Sequence, residues 1–275
     1  MQLATLDHLY QKMGFSEAPF NLTPDTDFFF SSETHQEALK HLRYGQLKGG
    51  FSVLTGEVGM GKTLLCRQLL KDNDDVNLAV TYIYNPAGTI TDLISSIYHS
   101  LMGVSIDVTN AAEVEQKFIS LLIDYAQQGK RVVVVIDESH LLDETVLDSL
   151  RTLANLESAK VKLLSFVLVG QPELLITLRK HALRSLRQRV TTHYRLRMFS
   201  YHDTSAYLNH RLAVSRLQSN VCFTKPAELL LHALCRGTPR RINQIADRSL
   251  MAAFLADKTK VSMAMVWAAN KEVFI

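Results

Sequence analysis

Gly56-Glu57-Val58-Gly59-Met60-Gly61-Lys62-Thr63 is the stretch on which the reading of this chain turns. It has the form G-x-x-x-x-G-K-[ST]. The apolar run Phe51-Ser52-Val53-Leu54-Thr55 precedes it, and the helical pattern Leu64-Leu65-Cys66-Arg67-Gln68-Leu69-Leu70 follows. A strand thus delivers the chain to a glycine turn at a helix N-terminus, where backbone N–H groups and the helix dipole favour an anion. The spacing suits a triphosphate cradled by Gly56, Glu57, Val58, Gly59, Met60, Gly61, Lys62, Thr63 and Leu64. Lys62 would reach the β- and γ-phosphates, and the Thr63 hydroxyl would hold Mg²⁺. A glycine-rich turn with no ligand is the bland alternative, and a second motif weighs against it.

That motif is Val132-Val133-Val134-Val135-Ile136-Asp137-Glu138-Ser139-His140. Five β-branched residues without polar alternation predict a strand buried on both faces of a parallel sheet. The acidic pair closes it at its C-terminal end, where open α/β sheets place ligands. Asp137 suits the Mg²⁺ shell, through water. Glu138 suits orienting and deprotonating a water for attack on the γ-phosphate. Carboxylates also end strands merely because the chain is leaving the core, but the glycine loop upstream favours the catalytic reading. His140 stays open between a sensor of nucleotide state and a cap on the following helix.

The chain has 275 residues, 47% of them hydrophobic and 21% charged, which is long for one small domain. Its net charge of +3 does not announce nucleic-acid binding. Cys66, Cys222 and Cys235 are widely spaced and form no C-x-x-C pair. That speaks against a disulfide framework or zinc site and fits a reducing cytosol. The N-terminus has no basic-then-apolar leader. Charges interrupt every apolar stretch well before about 18 residues, so no transmembrane helix is expected.

Along the chain, residues 1–34 form a lead-in with Ala18-Pro19-Phe20-Asn21-Leu22-Thr23-Pro24-Asp25 and Phe28-Phe29-Phe30. Its prolines break regular structure, and its aromatics should pack on the main domain. A helix is predicted from Thr34 to Leu47. Strands are predicted at 51–55, 78–84, 132–137, 162–169 and 193–196, with helices near 90–102, 112–128 and 143–156. Strands alternating with helices imply a parallel sheet with helices on both faces. Helical patterns at about 201–216, 226–235, 239–256 and 262–271 point to a second, smaller domain.

Two basic constellations stand out. Arg179, Lys180, Arg184, Arg187 and Arg189 lie between the fourth and fifth predicted strands. Arginine completes phosphoryl-transfer sites in trans by meeting transition-state charge; a solvated helix face is the alternative for any one of them. Gly237-Thr238-Pro239-Arg240-Arg241 opens a helix with arginine in its first turn, against the dipole. A phosphate facing that arginine would explain the placement.

In this order of parts the chain resembles an AAA+ ATPase. The resemblance implies an α/β P-loop fold, a parallel sheet flanked by helices and followed by a small α-helical lid. It divides the chain into an N-terminal linker near the nucleotide site (1–34), an ATPase core (35–198) and a lid (199–275), and it implies ATP and Mg²⁺ as ligands. Gln171 matches the first sensor, Arg240 the second, and Arg189 the arginine finger, with Arg187 the runner-up. With Lys62 and Glu138 these are the candidate catalytic residues, and Thr63 and Asp137 the candidate metal ligands. The lead-in of such proteins often walls the adenine pocket, so Phe20, Asn21 and Leu22 are candidates there, with plain packing the alternative.

A narrower likeness rests on Pro19-Phe20-Asn21-Leu22-Thr23-Pro24-Asp25, the glycine loop, Ile136-Asp137-Glu138-Ser139-His140 and Leu168-Val169-Gly170-Gln171-Pro172-Glu173-Leu174. These resemble the ExeA/GspA family of bacterial secretion and pilus-assembly ATPases over nearly the whole chain. Larger members continue past the lid into a membrane span and a periplasmic peptidoglycan-binding domain. Ending at Ile275 points to the shorter MshM-like members, associated with MSHA type IV pilus biogenesis, or to a piece of a longer protein. The resemblance implies self-association into a ring-like oligomer such as a hexamer, with inner-membrane pilus or secretion assembly proteins as partners. It also implies a cytoplasmic location, peripheral at the inner membrane through partners, with membrane contact only indirect.

Three functions compete. The first is an ATPase that organises an envelope machine. The second is a nucleic-acid-targeting ATPase of the transposition-regulator kind, for which a net charge of +3 gives little support. The third is a nucleotide-dependent scaffold with negligible turnover, which ranks last because both carboxylates are present. A helicase would need a second motor domain that the lid cannot supply.

Overall fold

Runs of branched apolar residues set the centre of the molecule. A computed structural model describes residues 6–73, 75–86, 88–106, 110–156 and 162–273. Strands β1 (Gly50–Thr55), β2 (Leu78–Ile83), β3 (Arg131–Ile136), β4 (Leu164–Gly170) and β5 (Val190–Arg195) form one sheet in the order β2-β3-β4-β1-β5. Every pairing is parallel. Helices α1 (Leu6–Lys12), α2 (Glu33–Lys48), α3 (Lys62–Lys71), α4 (Ile90–Met102), α5 (Ala111–Gln127), α6 (Glu144–Leu153), α7 (Glu173–Arg179) and α8 (Arg184–Arg187) precede or separate these strands. The chain ends with α9 (Tyr201–Val214), β6 (Cys222–Phe223), α10 (Lys225–Cys235), α11 (Pro239–Leu255), β7 (Lys260–Val261) and α12 (Met263–Val273).

The described residues fall into two compact units. One holds the described residues of 33–58 and 65–196; the other holds those of 6–32, 59–64 and 197–273. In the sheet unit, Val132 through Ile136 are wholly buried, as a strand with no polar alternation requires. Helix α2 packs on β1, β4 and β5, α4 on β2, and α5 on β3. Phe51 and Phe166 are directly paired across β1 and β4, and their rings stack with centroids 5.3 Å apart. Burying each ring is worth about 2–3 kcal/mol. Helix α4 starts with a capping box in which Thr89 and Asp92 satisfy each other's backbone N–H groups.

Strand β5 starts at Val190, earlier than the expected His193. As an edge strand it exposes Thr191, His193 and Arg195 on one face and buries Thr192 on the other, so its sequence shows no apolar run. Helix α1 and the short parallel pair β6–β7 had no counterpart in the sequence reading.

The helical unit has its own core of α9–α12 side chains, including Leu208, Leu212, Leu231, Ile242, Ile245 and Leu250. The lead-in belongs to this unit, not to the α/β domain expected for it. The reason is aromatic: Phe15 and Phe20 are buried there, and Phe30 packs edge-on against Phe199 and Tyr207. A capping box of Ser200 and Asp203 starts α9. Among the described residues, no helix is long and apolar enough to cross a membrane.

Candidate functional site

In a parallel sheet every strand ends at the same edge, and that edge collects the chemistry here. β1 runs out into Gly56, whose N–H donates to the Gly170 carbonyl at the end of β4, 3.3 Å away. β3 runs out into Asp137, whose N–H donates to Ile83 O on β2 at 2.9 Å. A Cβ added at Gly170 would lie 3.1 Å from the His140 backbone nitrogen. The start of the glycine loop and the turn after the acidic pair thus both abut the end of β4.

Asp137 is fully buried. Its Oδ2 accepts from the Tyr82 hydroxyl at 2.7 Å, and its Oδ1 from the Glu138 N–H at 2.9 Å. Burial, then the Asp137 charge and its hydrogen bond, push the Tyr82 phenol well above its ordinary range, so it stays a protonated donor. Glu138 sits in the left-handed region at φ 53°, an unusual backbone for a glutamate. Its Oε2 lies 3.4 Å from His140 Nδ1, and that nitrogen is buried without a well-formed hydrogen bond. His140 lies in the turn Ser139–Leu141 and does not cap α6, whose N-cap is Asp143. Gln171 is half-buried just past β4.

The arginines separate. Arg195, at the loop end of β5, pairs with Glu57 at 3.3 Å. Arg187 turns inward: its Nη1 donates to the carbonyls of Leu178 and Arg179, closing the end of α7. Arg189 precedes β5, and its carbonyl accepts from Phe51 N–H at the start of β1. That places its backbone a strand's length from Gly56, about 20 Å.

In the helical unit, Gly59 has φ +79°, and a Cβ there would lie 2.7 Å from Arg240 Cβ. Only glycine suits that position. The Arg240 N–H donates to the Gly59 carbonyl at 3.1 Å, so the first turn of α11 is fastened to the glycine loop. Met60 and Lys62 are buried, while Thr63 and Leu64 are half-buried. Phe20 is buried, edge-on to Phe223 with centroids 6.1 Å apart. Asn21 is exposed, and its carbonyl accepts from Arg211 Nη2 at 3.0 Å. Tyr82, Arg195 and Arg211 escaped the sequence reading. Arg195 could have been found, since it is a basic residue closing a strand predicted to end beside the loop.

The Thr63 hydroxyl and the Asp137 carboxylate are a sparse oxygen set. That suits Mg²⁺, which keeps waters and shares phosphate oxygens, better than a metal needing a full protein cage. These residues fit a nucleoside triphosphate with its metal.

Comparison with known proteins agrees with this arrangement. Residues 46–178 match the family model described as an AAA domain. The chain is 41% identical over 260 residues to general secretion pathway protein A of Aeromonas hydrophila. The match covers 91% of this chain and 46% of that protein, so the chain spans about half the length of the curated relative. Among solved structures it resembles the ORC2 protein of Aeropyrum pernix in its ADP form (TM-score 0.70, 17% identity, 92% of this chain and 72% of that one). It also resembles the RuvB Holliday junction branch migration motor of Thermotoga maritima (TM-score 0.60, 18% identity, 92% and 73%). Glycine loop, acidic strand and strand order together define an AAA+ protein with the P-loop fold. Within that class, the chain belongs to the ExeA/GspA family.

Proposed function

We propose that this chain binds ATP with Mg²⁺ and hydrolyses it, slowly without partners, and that it assembles into a ring-like oligomer serving a bacterial envelope machine. One observation carries the reading: the glycine loop leaves β1 and the acidic pair leaves β3 at the same edge of one parallel sheet, with β4 between them. Lys62 offers its ammonium to the β- and γ-phosphates. Mg²⁺, held by the Thr63 hydroxyl and by Asp137 through water, would supply positive charge against the phosphates. A Glu138 carboxylate oxygen takes the proton from the attacking water. Gln171 and Arg240 sense the γ-phosphate, and Arg240 is already fastened to the loop through Gly59. Phe20 and Asn21 of the lead-in would wall the adenine pocket. Arg189, far along β5 from its own loop, serves a neighbouring copy.

Kinship with a secretion protein supports inner-membrane secretion or pilus assembly proteins as partners, and MSHA pilus biogenesis is the finer reading. On this account the protein works in the cytoplasm, at the membrane only through partners. Binding of a fluorescent ATP analogue tests the reading. Lys62→Ala should weaken binding about tenfold or more, the worth of a charge-assisted hydrogen bond. Equal affinity in the variant would contradict the site.

A further inference from the structure

A buried carboxylate is costly unless donors hold it, and the way Asp137 is held is specific. Tyr82 lies on β2, in register with Val135 of β3. Its ring spans from the edge strand to the acidic residue that ends the neighbouring strand, and its hydroxyl meets Asp137 Oδ2 at 2.7 Å. That length is typical of a charge-assisted O–H···O⁻ bond. Asp137 Oδ1 is met by the N–H of Glu138, and the Asp137 N–H is fixed on Ile83. A donor from β2 and one from the turn after β3 therefore help set the plane of the carboxylate. The Glu138 N–H is a local contact that follows from the turn. Tyr82 is a long-range one, reaching the carboxylate from a neighbouring strand, and it helps fix which way the carboxylate faces.

We infer that Tyr82 is a positioning residue for the metal site: its hydroxyl holds Asp137 Oδ2 and so helps keep the carboxylate in the orientation in which it would hold the hydrated metal. The inference rests on the nucleotide-site reading above and adds to it a residue on β2 that touches neither nucleotide nor metal. A carboxylate released from Tyr82 can rotate, and each rotation away from the metal weakens its hold. Outer partners of metal ligands affect metal affinity about 10- to 100-fold. Because Asp137 acts through water, the low end applies.

Tyr82→Phe removes one oxygen and keeps the ring. Mn²⁺, which electron paramagnetic resonance detects free in solution, is titrated into protein loaded with a non-hydrolysable ATP analogue. The variant should bind Mn²⁺ about tenfold more weakly, with metal-free analogue affinity unchanged. In an Asp137→Asn background the same change should do nothing further, because Tyr82 acts only through Asp137. Wild-type Mn²⁺ affinity in Tyr82→Phe overturns the inference. So does an equal loss in both backgrounds, which marks a merely structural role. Wild-type protein that binds no nucleotide at all overturns the site reading itself, a result distinguishable from these.

Discussion

Arg211 is a buried cation held mainly by carbonyls, and replacing it with methionine should loosen the lead-in. Its Nε donates to Pro19 O, its Nη2 to Asn21 O at 3.0 Å, and its guanidinium lies 4.3 Å over the Phe28 ring. Stripping a buried carbonyl of its donor costs about 1–3 kcal/mol. Pro19 O bears that loss in full. Asn21 O bears less, because Asn243 Nδ2 also reaches it at 3.4 Å. The cation over Phe28 adds about 1–2 kcal/mol. On the other side, burial pushes the Arg211 pKa down, so removing the charge returns a desolvation cost, and methionine keeps most of the stem's packing. The net expectation for Arg211→Met is about 2–3 kcal/mol of lost stability. Trp267 is the sole tryptophan and stands half-exposed on α12 of the same unit, so its fluorescence in a urea titration reports this unit. The midpoint should fall with an unchanged slope. A loss under about 0.5 kcal/mol, the scatter of ordinary surface changes, would show that these contacts add no net stability.

Three further outcomes follow from the geometry. Gly237 has φ +71°, and a Cβ there would lie 2.1 Å from Phe199 O; Gly237→Ala should cost about 2–4 kcal/mol in the same titration, and an unmoved midpoint would contradict the turn. Burial raises the Asp247 pKa above 3.8, despite the Tyr10 hydroxyl and Arg248, which lower it. The folded state therefore holds the proton more tightly: the stability Asp247 contributes is full below 3.8 and is lost as pH rises through the raised folded value. Asp247→Asn keeps an acceptor for Tyr10 and should remove that share of the pH dependence; a wild-type profile would contradict it. Arg189→Ala should slow turnover about 1,000-fold, yet mixing it with Glu138→Gln should restore some activity, since each chain supplies what the other lacks. No recovery in a mixed oligomer would remove Arg189 from a role in trans.

Sequence periodicity carried the sheet and its loop because their signals are long. Val132–Ile136 is unbroken by polar residues, and the glycine loop has fixed spacing. What escaped was short or tertiary. β6 and β7 are two residues each, too brief for any period to show. β5 alternates polar and half-buried residues as an edge strand does, so only its last part looked like a strand. Phe20 read equally well as an adenine wall or as packing, and its ring lies against Phe223. Arg187 and Arg189 are two residues apart and chemically identical; only the direction of the Arg187 guanidinium, into the end of α7, separates them. Tyr82 was visible as a strand residue, but its reach to Asp137 depends on the register of β2 against β3, which no single-strand pattern encodes.

The most direct test of the account is ATP turnover by wild type and Glu138→Gln under conditions where both bind the nucleotide. The account predicts undiminished ATP binding by the variant with hydrolysis slowed about 100- to 10,000-fold, the worth of a general base. Equal turnover in the two proteins would contradict it, because the carboxylate at the end of β3 would then take no part in the chemistry.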